Sequence, residues 1–188
     1  MGRDRTILAP RVFTRSAFLC AIAVTAASLF RFGSTIVPFS LLPAVYVFGA
    51  ISLSPQENFL GWTVYCLLGL IGLPVFASSP FGGLGYILKP TFGFILGYII
   101  LSPLISRVAD RQKPLTSRFL LFLSLAAIFM LYLPGLLYFW FIMKFVLQAE
   151  ISISMVLKTA FWPFIGGDIL KAIGAFFIAL KARSIRRK

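Results

Sequence analysis

Long apolar stretches, separated by short polar or glycine- and proline-rich segments, make up most of this chain. A membrane-spanning helix needs about 20 mainly apolar residues, and six stretches approach or exceed that length. They cover residues 13–32, 37–54, 59–77, 84–106, 117–142 and 156–181. The pattern predicts an all-α polytopic membrane protein, in which residues 1–188 form a single domain, a compact bundle of six transmembrane helices. The second stretch is the least regular, because Pro38 and Pro43 would break or kink its first turns.

The composition also indicates a membrane protein. Of the 188 residues, 60% are hydrophobic and only 12% are charged, whereas about 25% of the residues of a soluble domain are charged. The net charge of +13 is concentrated in three clusters, at the N-terminus, in one central loop and at the C-terminus. The clusters comprise Arg3, Arg5, Arg11 and Arg15; Arg107, Arg111, Lys113 and Arg118; and Lys181, Arg183, Arg186, Arg187 and Lys188.

The three basic clusters predict the orientation. With six spans they all fall on one side of the membrane, and the positive-inside rule assigns that side to the cytoplasm. Both termini are then cytoplasmic, residues 33–36, 78–83 and 143–155 lie outside, and the protein is placed in the plasma (inner) membrane, surrounded by lipid. Because no segment combines basic and aromatic residues on a polar surface, we expect no nucleic-acid partner.

The sequence lacks the motifs on which most enzymes and cofactor sites depend. It contains no histidine, no CxxC pair, no GxSxG motif and no P-loop. Cys20 and Cys66 lie in apolar stretches, where they are expected to be small packing residues. We therefore expect neither an enzyme nor a metal or cofactor site, and the energy for any transport must come from a partner or an ion gradient.

Two charged residues interrupt the last apolar stretch, in the segment WPFIGGDILKA at 162–172. Asp168 and Lys171 are three residues apart, so on a helix they share a face and can reach one another or a common ligand. A charge near the bilayer centre costs about 2.5–3.5 kcal/mol on insertion scales. The presence of these two residues in an apolar stretch therefore indicates a structural or functional role. A solute-binding site is favoured, and an ion pair that only holds the bundle together is the alternative.

A glycine-rich segment at 72–98 is a second candidate region. Gly82 and Gly83 allow a tight loop that dips back toward the bundle and faces a ligand; a simple connector is the other interpretation. Lys89, in the same segment, either extends toward the outer interface or offers a cation to an anionic substrate.

Small residues recur at four-residue spacing in the first stretch. Ala17 and Ala21 form one pair, and Ala23 and Ala27 form another. Such spacing lets helix backbones approach closely in lipid. The alanines therefore serve either internal packing or a docking face for another membrane subunit.

Several short motifs together resemble the BioY family, the biotin-binding S-components of energy-coupling factor (ECF) transporters. They are VPFSL at 37–41, GLPVFA at 72–77, KPTFGFILGY at 89–98 and PFIGGDILKA at 163–172, together with the GGLG turn and the alanine spacing. The resemblance implies that the chain captures biotin from outside and works with a transmembrane coupling subunit and two cytosolic ATP-binding subunits. The alanines would then meet the coupling subunit.

The resemblance also implies a substrate site. Asp168 would accept hydrogen bonds from the ureido N–H groups of biotin, Lys171 would donate to a ureido or carboxylate oxygen, and the glycine-rich segment would close over the substrate. The full set of substrate-binding candidates is Asp168, Lys171, Gly82, Gly83, Lys89, Phe92 and Phe76.

The chain departs from the usual family pattern at three places. Leu42-Pro43 stands in place of glutamine-threonine, Lys89 in place of glycine, and Phe92-Gly93-Phe94 in place of Gly-Gly-Tyr. Lys89 is a candidate partner for a substrate carboxylate. Two other functions fit the residues apart from the resemblance: a solitary secondary transporter or channel for another small solute, and a structural membrane protein whose polar pair locks the bundle.

Overall fold

The computed structural model describes residues 10–29, 40–112 and 116–186, with side chains as far as residue 182. Helices account for nearly all of the regular structure in these ranges. The α-helices are α1 Pro10–Ser28, α2 Leu42–Ser52, α3 Pro55–Leu70, α4 Phe92–Arg111, α5 Ser117–Phe141, α6 Ile153–Ala160 and α7 Trp162–Arg186. A 3₁₀-helix covers Leu84–Leu88, and a π-helical turn at Ile142–Val146 extends α5.

Several predicted features lie outside the described residues. They are Pro38, the outer loop 33–36, the basic residues Arg3, Arg5, Lys113, Arg187 and Lys188, and the side chains of Arg183 and Arg186.

Four described helical segments are long and apolar enough to cross a membrane. They are Pro10–Ser28, Phe92–Arg111, Ser117–Val146 and Trp162–Ala182. The predicted all-helical, multi-pass membrane architecture is thus confirmed for the described part of the chain. The second and third predicted spans are shorter than expected, because α2 has 11 residues and α3 has 16, or about 16 and 24 Å of helix.

Helix α2 is short because it lies in the centre of the bundle. Nine of its 11 residues are buried, and it packs against α1, α4, α5 and α7. Pro43 occupies its first turn, where the missing N–H costs no helical hydrogen bond. The proline therefore starts this helix, five residues later than the apolar pattern predicted.

Three other predicted boundaries were wrong for related reasons. The fourth stretch was predicted to begin at residue 84, but the 3₁₀-helix and Pro90 come first, and α4 begins at Phe92. The third stretch was predicted to run to residue 77, but α3 ends at Leu70, because Gly72 has φ of +106° and Pro74 follows. The last stretch was predicted to be continuous from 156, but α6 ends at Ala160 and α7 begins at Trp162, with Pro163 in its first turn.

Glycines set the closest helix contacts. A Cβ added at Gly93 of α4 would collide with Tyr138 of α5, and one added at Gly135 of α5 would collide with Phe94 of α4. Similarly, a Cβ at Gly61 of α3 would lie 3.0 Å from the Ser16 carbonyl oxygen of α1. Small residues therefore allow α4 to pack on α5 and α1 on α3 at short distances.

A buried polar network joins four helices near the turn between α2 and α3. Asn58 is 0% exposed, and its Nδ2 donates to the carbonyl oxygens of Gly49 at 3.0 Å, Leu53 at 3.3 Å and Ser54 at 3.0 Å. Ser102 of α4 donates to Asn58 Oδ1 at 2.6 Å. Hydrogen bonds thus tie the end of α2 to the start of α3 and to α4.

The network extends to α1 through Glu57. Its carboxylate accepts a hydrogen bond from the Ser54 backbone N–H at 2.7 Å and lies 3.5 Å from Arg15 Nη1 of α1. Ser106 of α4 donates to the Leu53 carbonyl. Because these contacts align Ser106 with Leu53 and Ser102 with Asn58, α3 and α4 run antiparallel, and the start of α3 lies beside the last turns of α4.

Candidate functional site

A cavity lies at the opposite end of the bundle, near the starts of α2, α4 and α7. Its empty volume is about 630 Å³, including the open mouth. The lining residues are Ser40, Leu42, Pro43, Tyr65, Ala77, Tyr86, Thr91, Phe94, Ile95, Tyr98, Tyr132, Ala160, Phe164, Asp168 and Lys171. Most of this lining is apolar or aromatic, with polar groups at a few positions.

Asp168 and Lys171 form an ion pair on the cavity wall. Lys171 Nζ lies 2.7 Å from Asp168 Oδ1, and each side chain is only 10% exposed. Tyr132 of α5 donates from its hydroxyl to Asp168 Oδ2 at 2.7 Å. Each carboxylate oxygen therefore has a donor, which satisfies the charge that the sequence places inside an apolar helix.

Aromatic rings hold Tyr132 in place. The ring of Phe161 lies 4.9 Å from that of Tyr132, and the ring of Phe94 lies 5.7 Å away, both edge to face. Tilted and edge-to-face pairs of this kind are favourable. The hydroxyl of Tyr132 is therefore directed at Asp168 by packing from α4 and from the residue between α6 and α7.

A second aromatic group forms the wall contributed by α3 and α4. Tyr98 lines the cavity and stacks on Trp62 with ring centroids 4.6 Å apart. Trp62 is 0% exposed. Tyr65, which also lines the cavity, donates to the carbonyl oxygen of Val75 at 3.1 Å. This bond fastens the glycine-rich segment to α3.

Before α4 begins, the glycine-rich segment packs on the end of α3 and contributes three residues to the cavity, Ala77, Tyr86 and Thr91. Gly83 has φ of +93°, a conformation that glycine adopts without strain, and its N–H donates to the Gly69 carbonyl at 2.7 Å. Ser78 and Tyr86 share a hydrogen bond of 2.8 Å between their hydroxyls. The segment is thus a wall of the cavity, held by several bonds to its surroundings.

Of the seven predicted substrate residues, the structure brings Asp168 and Lys171 to the cavity. Phe76 does not line it, because its ring covers Gly69 and packs between Tyr65 and Tyr86. Phe92 is buried against Tyr86 and Tyr138 instead.

The remaining three predicted residues also lie outside the lining. At Gly82 the backbone approaches the Leu73 carbonyl closely, so this glycine serves loop packing. Gly83 supplies the turn, and Lys89 follows the 3₁₀-helix and is partly exposed.

Sequence reasoning missed Tyr132, although it contacts Asp168 directly. A tyrosine within the uninterrupted apolar run of α5 gives little signal in hydropathy. Its position along the helix gives a clearer signal. Tyr132 lies three residues before Gly135 and eight residues after Ser124, and both of these residues are buried. Tyr132 therefore falls on the packed face of α5. Tyr65, Tyr86 and Tyr98 also line the cavity.

The four alanines of α1 separate into two faces. Ala17 and Ala21 are exposed, whereas Ala23 and Ala27 are 0% exposed and belong to the core of the bundle. The expectation that all four form a docking face was therefore wrong for Ala23 and Ala27, which are covered by the chain's own helices.

Comparison with known proteins places these features in a family. The model of the BioY family matches residues 5–188. The chain is 33% identical over 143 residues to a protein of Pyrococcus horikoshii named "Probable biotin transporter BioY", covering 76% of this chain and 78% of the relative. A protein of the same name from Lysinibacillus sphaericus is 27% identical over 166 residues, covering 88% of this chain and 84% of the relative.

A solved structure has the same fold. It is the crystal structure at 2.1 Å of the S-component for biotin from an ECF-type ABC transporter, with a TM-score of 0.73 and 22% sequence identity. The match covers 100% of this chain and 95% of that one. Since the family model matches nearly the whole sequence, this chain belongs to the BioY family.

Proposed function

We propose that this chain is the substrate-binding membrane subunit of a biotin uptake transporter and that it delivers biotin inward with an ATP-driven ECF module. Its relatives are named as biotin transporters, so its role is transport rather than catalysis. The observation that carries the proposal is the Asp168–Lys171–Tyr132 group on the wall of an otherwise apolar and aromatic cavity.

The chemistry of this group matches a ureido compound with an apolar body. Biotin has two ureido N–H donors, one ureido carbonyl, a fused ring system and a carboxylate on an alkyl chain. Asp168 accepts from the ureido N–H groups, and Lys171 donates to the ureido or carboxylate oxygen. Phe94, Tyr98 and Phe164 supply the surface against which the rings pack.

Asp168 also bears on the alternative of a proton-driven solitary transporter. An intramembrane carboxylate that relays protons has to gain and lose its charge. Here both oxygens of Asp168 already accept bonds, one of them from the ammonium group of Lys171. This arrangement favours a carboxylate that is held in place to bind a ligand, with the energy supplied by ATP-binding partners.

The proposed topology has six membrane-embedded helices, α1 to α5 and α7, with both termini in the cytoplasm of the cell and the protein in the plasma membrane. Three basic clusters support this orientation. The polar network at the α2–α3 turn then lies toward the cytoplasm, and the cavity opens to the outside. Since α2 is surrounded by other helices, it does not need the length of a lipid-facing span.

Two lysines provide a direct test of the substrate and the site. In detergent-purified protein, we expect biotin to bind, Lys171→Ala to weaken binding at least about tenfold, and Lys89→Ala to leave it unchanged. Lys171 lines the cavity, and truncating one member of a buried hydrogen-bonded charge pair costs about 2–5 kcal/mol. Lys89 lies outside the lining. Isothermal titration calorimetry measures both affinities.

A folded wild-type protein that does not bind biotin would contradict the proposed function. If biotin binds and Lys89→Ala weakens binding as much as Lys171→Ala, the function stands but the cavity is not its site. Thermal unfolding of each variant, followed by tryptophan fluorescence, establishes that the protein is folded before titration.

The proposed surface for the coupling subunit is the exposed face of α1. Ala17 and Ala21 lie on this face, and Thr14 and Thr25 continue it. Their small side chains allow another helix to approach closely. Ala23 and Ala27 are not part of this surface.

We expect Ala17→Trp to abolish copurification with the coupling subunit and ATP-driven biotin uptake, while biotin binding by the isolated chain is unchanged. The added ring would hold the partner helix away from α1. Leu133→Trp is the matched control, because Leu133 is 67% exposed on α5, away from this face. Equal loss of assembly in both variants, or in neither, would show that the α1 face is not the contact.

A further inference from the structure

An open groove lies between α3 and α4, on the outer surface of the bundle and away from the biotin cavity. Its empty volume is about 600 Å³, including its open side. The lining residues are Pro55, Gln56, Phe59, Ile99, Ile100, Pro103, Leu104 and Arg107. No residue is shared with the lining of the biotin cavity.

The groove is apolar along most of its length. Phe59, Ile100 and Leu104 are 54%, 57% and 43% exposed, so three large apolar side chains are open to whatever surrounds the protein. Pro103 lacks the N–H that would otherwise bond to the carbonyl of Ile99, and both residues line the groove. In a membrane-spanning bundle, such a surface is suited to an acyl chain.

One end of the groove is polar and basic. Because α3 and α4 run antiparallel, Gln56 at the start of α3 and Arg107 near the end of α4 lie at the same end of the bundle. Both are exposed. The apolar residues extend from there toward the middle of the bundle, with Ile99 about 12 Å of helix before Arg107.

Arg107 has no acidic partner in the described part of the chain. Two of the acidic residues there are already engaged, because Glu57 pairs with Arg15 and Asp168 pairs with Lys171. Glu57, the residue after Gln56, is buried and bonded to the Ser54 backbone N–H, so its charge is directed into the bundle. The positive charge at this end of the groove is therefore available to an anionic ligand.

We propose that this groove binds one acidic phospholipid, with an acyl chain along Phe59 and Ile100 and the phosphate at Arg107. Basic sites between transmembrane helices on the cytoplasmic side attract acidic lipid head groups. The proposed orientation places Arg107 at the cytoplasmic leaflet. The lipid site itself depends on the groove and its charge, and does not depend on biotin being the substrate.

Lipid retention by the full-length protein tests the proposal. The protein is purified in detergent, phosphatidylglycerol or phosphatidylcholine is added, and bound lipid is counted by native mass spectrometry. We expect phosphatidylglycerol to bind more tightly than phosphatidylcholine, and Arg107→Gln to weaken the phosphatidylglycerol complex about fivefold, the effect of one cation near a head group. Arg111→Gln is the matched control, because Arg111 is exposed one turn later on α4 but does not line the groove.

A second variant tests the apolar part. Leu104→Trp fills the groove and should reduce retention of the same lipid while leaving Arg107 in place. If Arg107→Gln and Arg111→Gln weaken phosphatidylglycerol binding equally, the lipid is attracted by the overall charge of this end of the bundle, and the proposed site is wrong. Unchanged lipid binding, with loss of assembly with the coupling subunit in Arg107→Gln, would show that a protein occupies the groove. Biotin titration of the same samples reports separately on the proposed function.

Discussion

Replacing Asp168 by Asn should lower the affinity for biotin by at least about a hundredfold. The change keeps the size of the side chain but removes its charge, so hydrogen bonds from the ureido N–H groups lose their charge assistance. It also leaves the ammonium group of Lys171, 10% exposed, without its partner at 2.7 Å. Breaking a buried pair in this way costs about 3–5 kcal/mol, part of which appears in folding and part in binding.

The matched control is Asp110→Asn. Asp110 is exposed near the end of α4 and does not line the cavity, so the same chemical change should leave the affinity for biotin unchanged. Calorimetry measures the affinity of each variant, and thermal unfolding in the absence of biotin measures the effect on stability. Wild-type affinity in Asp168→Asn would remove this residue from the substrate site.

A double variant separates a binding role from a purely structural one. Asp168→Asn combined with Lys171→Met removes both charges, so no unpaired ion remains buried. If the pair only locks the bundle, the double variant should recover both stability and biotin affinity relative to the single variants. We expect stability to recover and affinity to stay low, because the charged acceptor and the charged donor for biotin are both gone.

The polar pair could be predicted because charge inside a membrane is costly. An aspartate and a lysine three residues apart in an apolar helix indicate either a solute-binding site or an ion pair that holds the bundle together, and the structure places both in the cavity lining. Tyr132 supplies the second hydrogen bond to Asp168 from a helix 36 residues away in sequence. That contact arises from how α5 packs on α7, which local pattern does not determine.

The apolar stretches predicted an all-helical membrane protein correctly, but several of the helix ends that they predicted were wrong. Hydropathy continues through residues 71–77, yet α3 ends at Leu70, because the chain turns at Gly72 and the following segment packs Phe76 over Gly69. The membrane favours apolar side chains in both helix and loop, so hydropathy alone does not mark the boundary. The backbone preferences of glycine and proline mark the end of the helix.

The docking face predicted on α1 included too many alanines, and the geometry of the helix explains why. Ala17 and Ala23 are six residues apart, which corresponds to about 240° of rotation around the helix axis. The two alanine pairs therefore cannot lie on the same face. Spacing predicts that each pair allows close approach, but only the packing of α1 against α2 and α3 shows that Ala23 and Ala27 face inward.

The other large effect is expected at Asn58, at the opposite end of the bundle from the cavity. Its amide group donates to carbonyl oxygens at the end of α2 and the start of α3, and its Oδ1 accepts from Ser102 of α4. Asn58→Asp keeps the shape of the side chain but replaces the donor with an acceptor. A carboxylate would then face three carbonyl oxygens in a site that is 0% exposed.

We expect Asn58→Asp to destabilise the protein by about 3 kcal/mol or more, since buried acceptors are left unpaired and a charge is introduced without a partner. Ser102→Ala removes a single bond of the same network and should cost about 1 kcal/mol. Gln56→Glu is the matched control, because it makes the same amide-to-acid change at an exposed position two residues earlier. Reversible unfolding in mixed detergent micelles measures the three free energies.

The fraction of Asn58→Asp protein that remains folded should bind biotin with wild-type affinity. The network ties the first turns of α1 and α3 to the ends of α2 and α4 near Leu53. The cavity is formed by the starts of α2, α4 and α7 together with Tyr132 of α5. Stability and substrate binding are thus assigned to different ends of the same bundle. A variant with full stability would show that Asn58 does not hold the helices together, and loss of affinity in folded protein would show that the network also shapes the cavity.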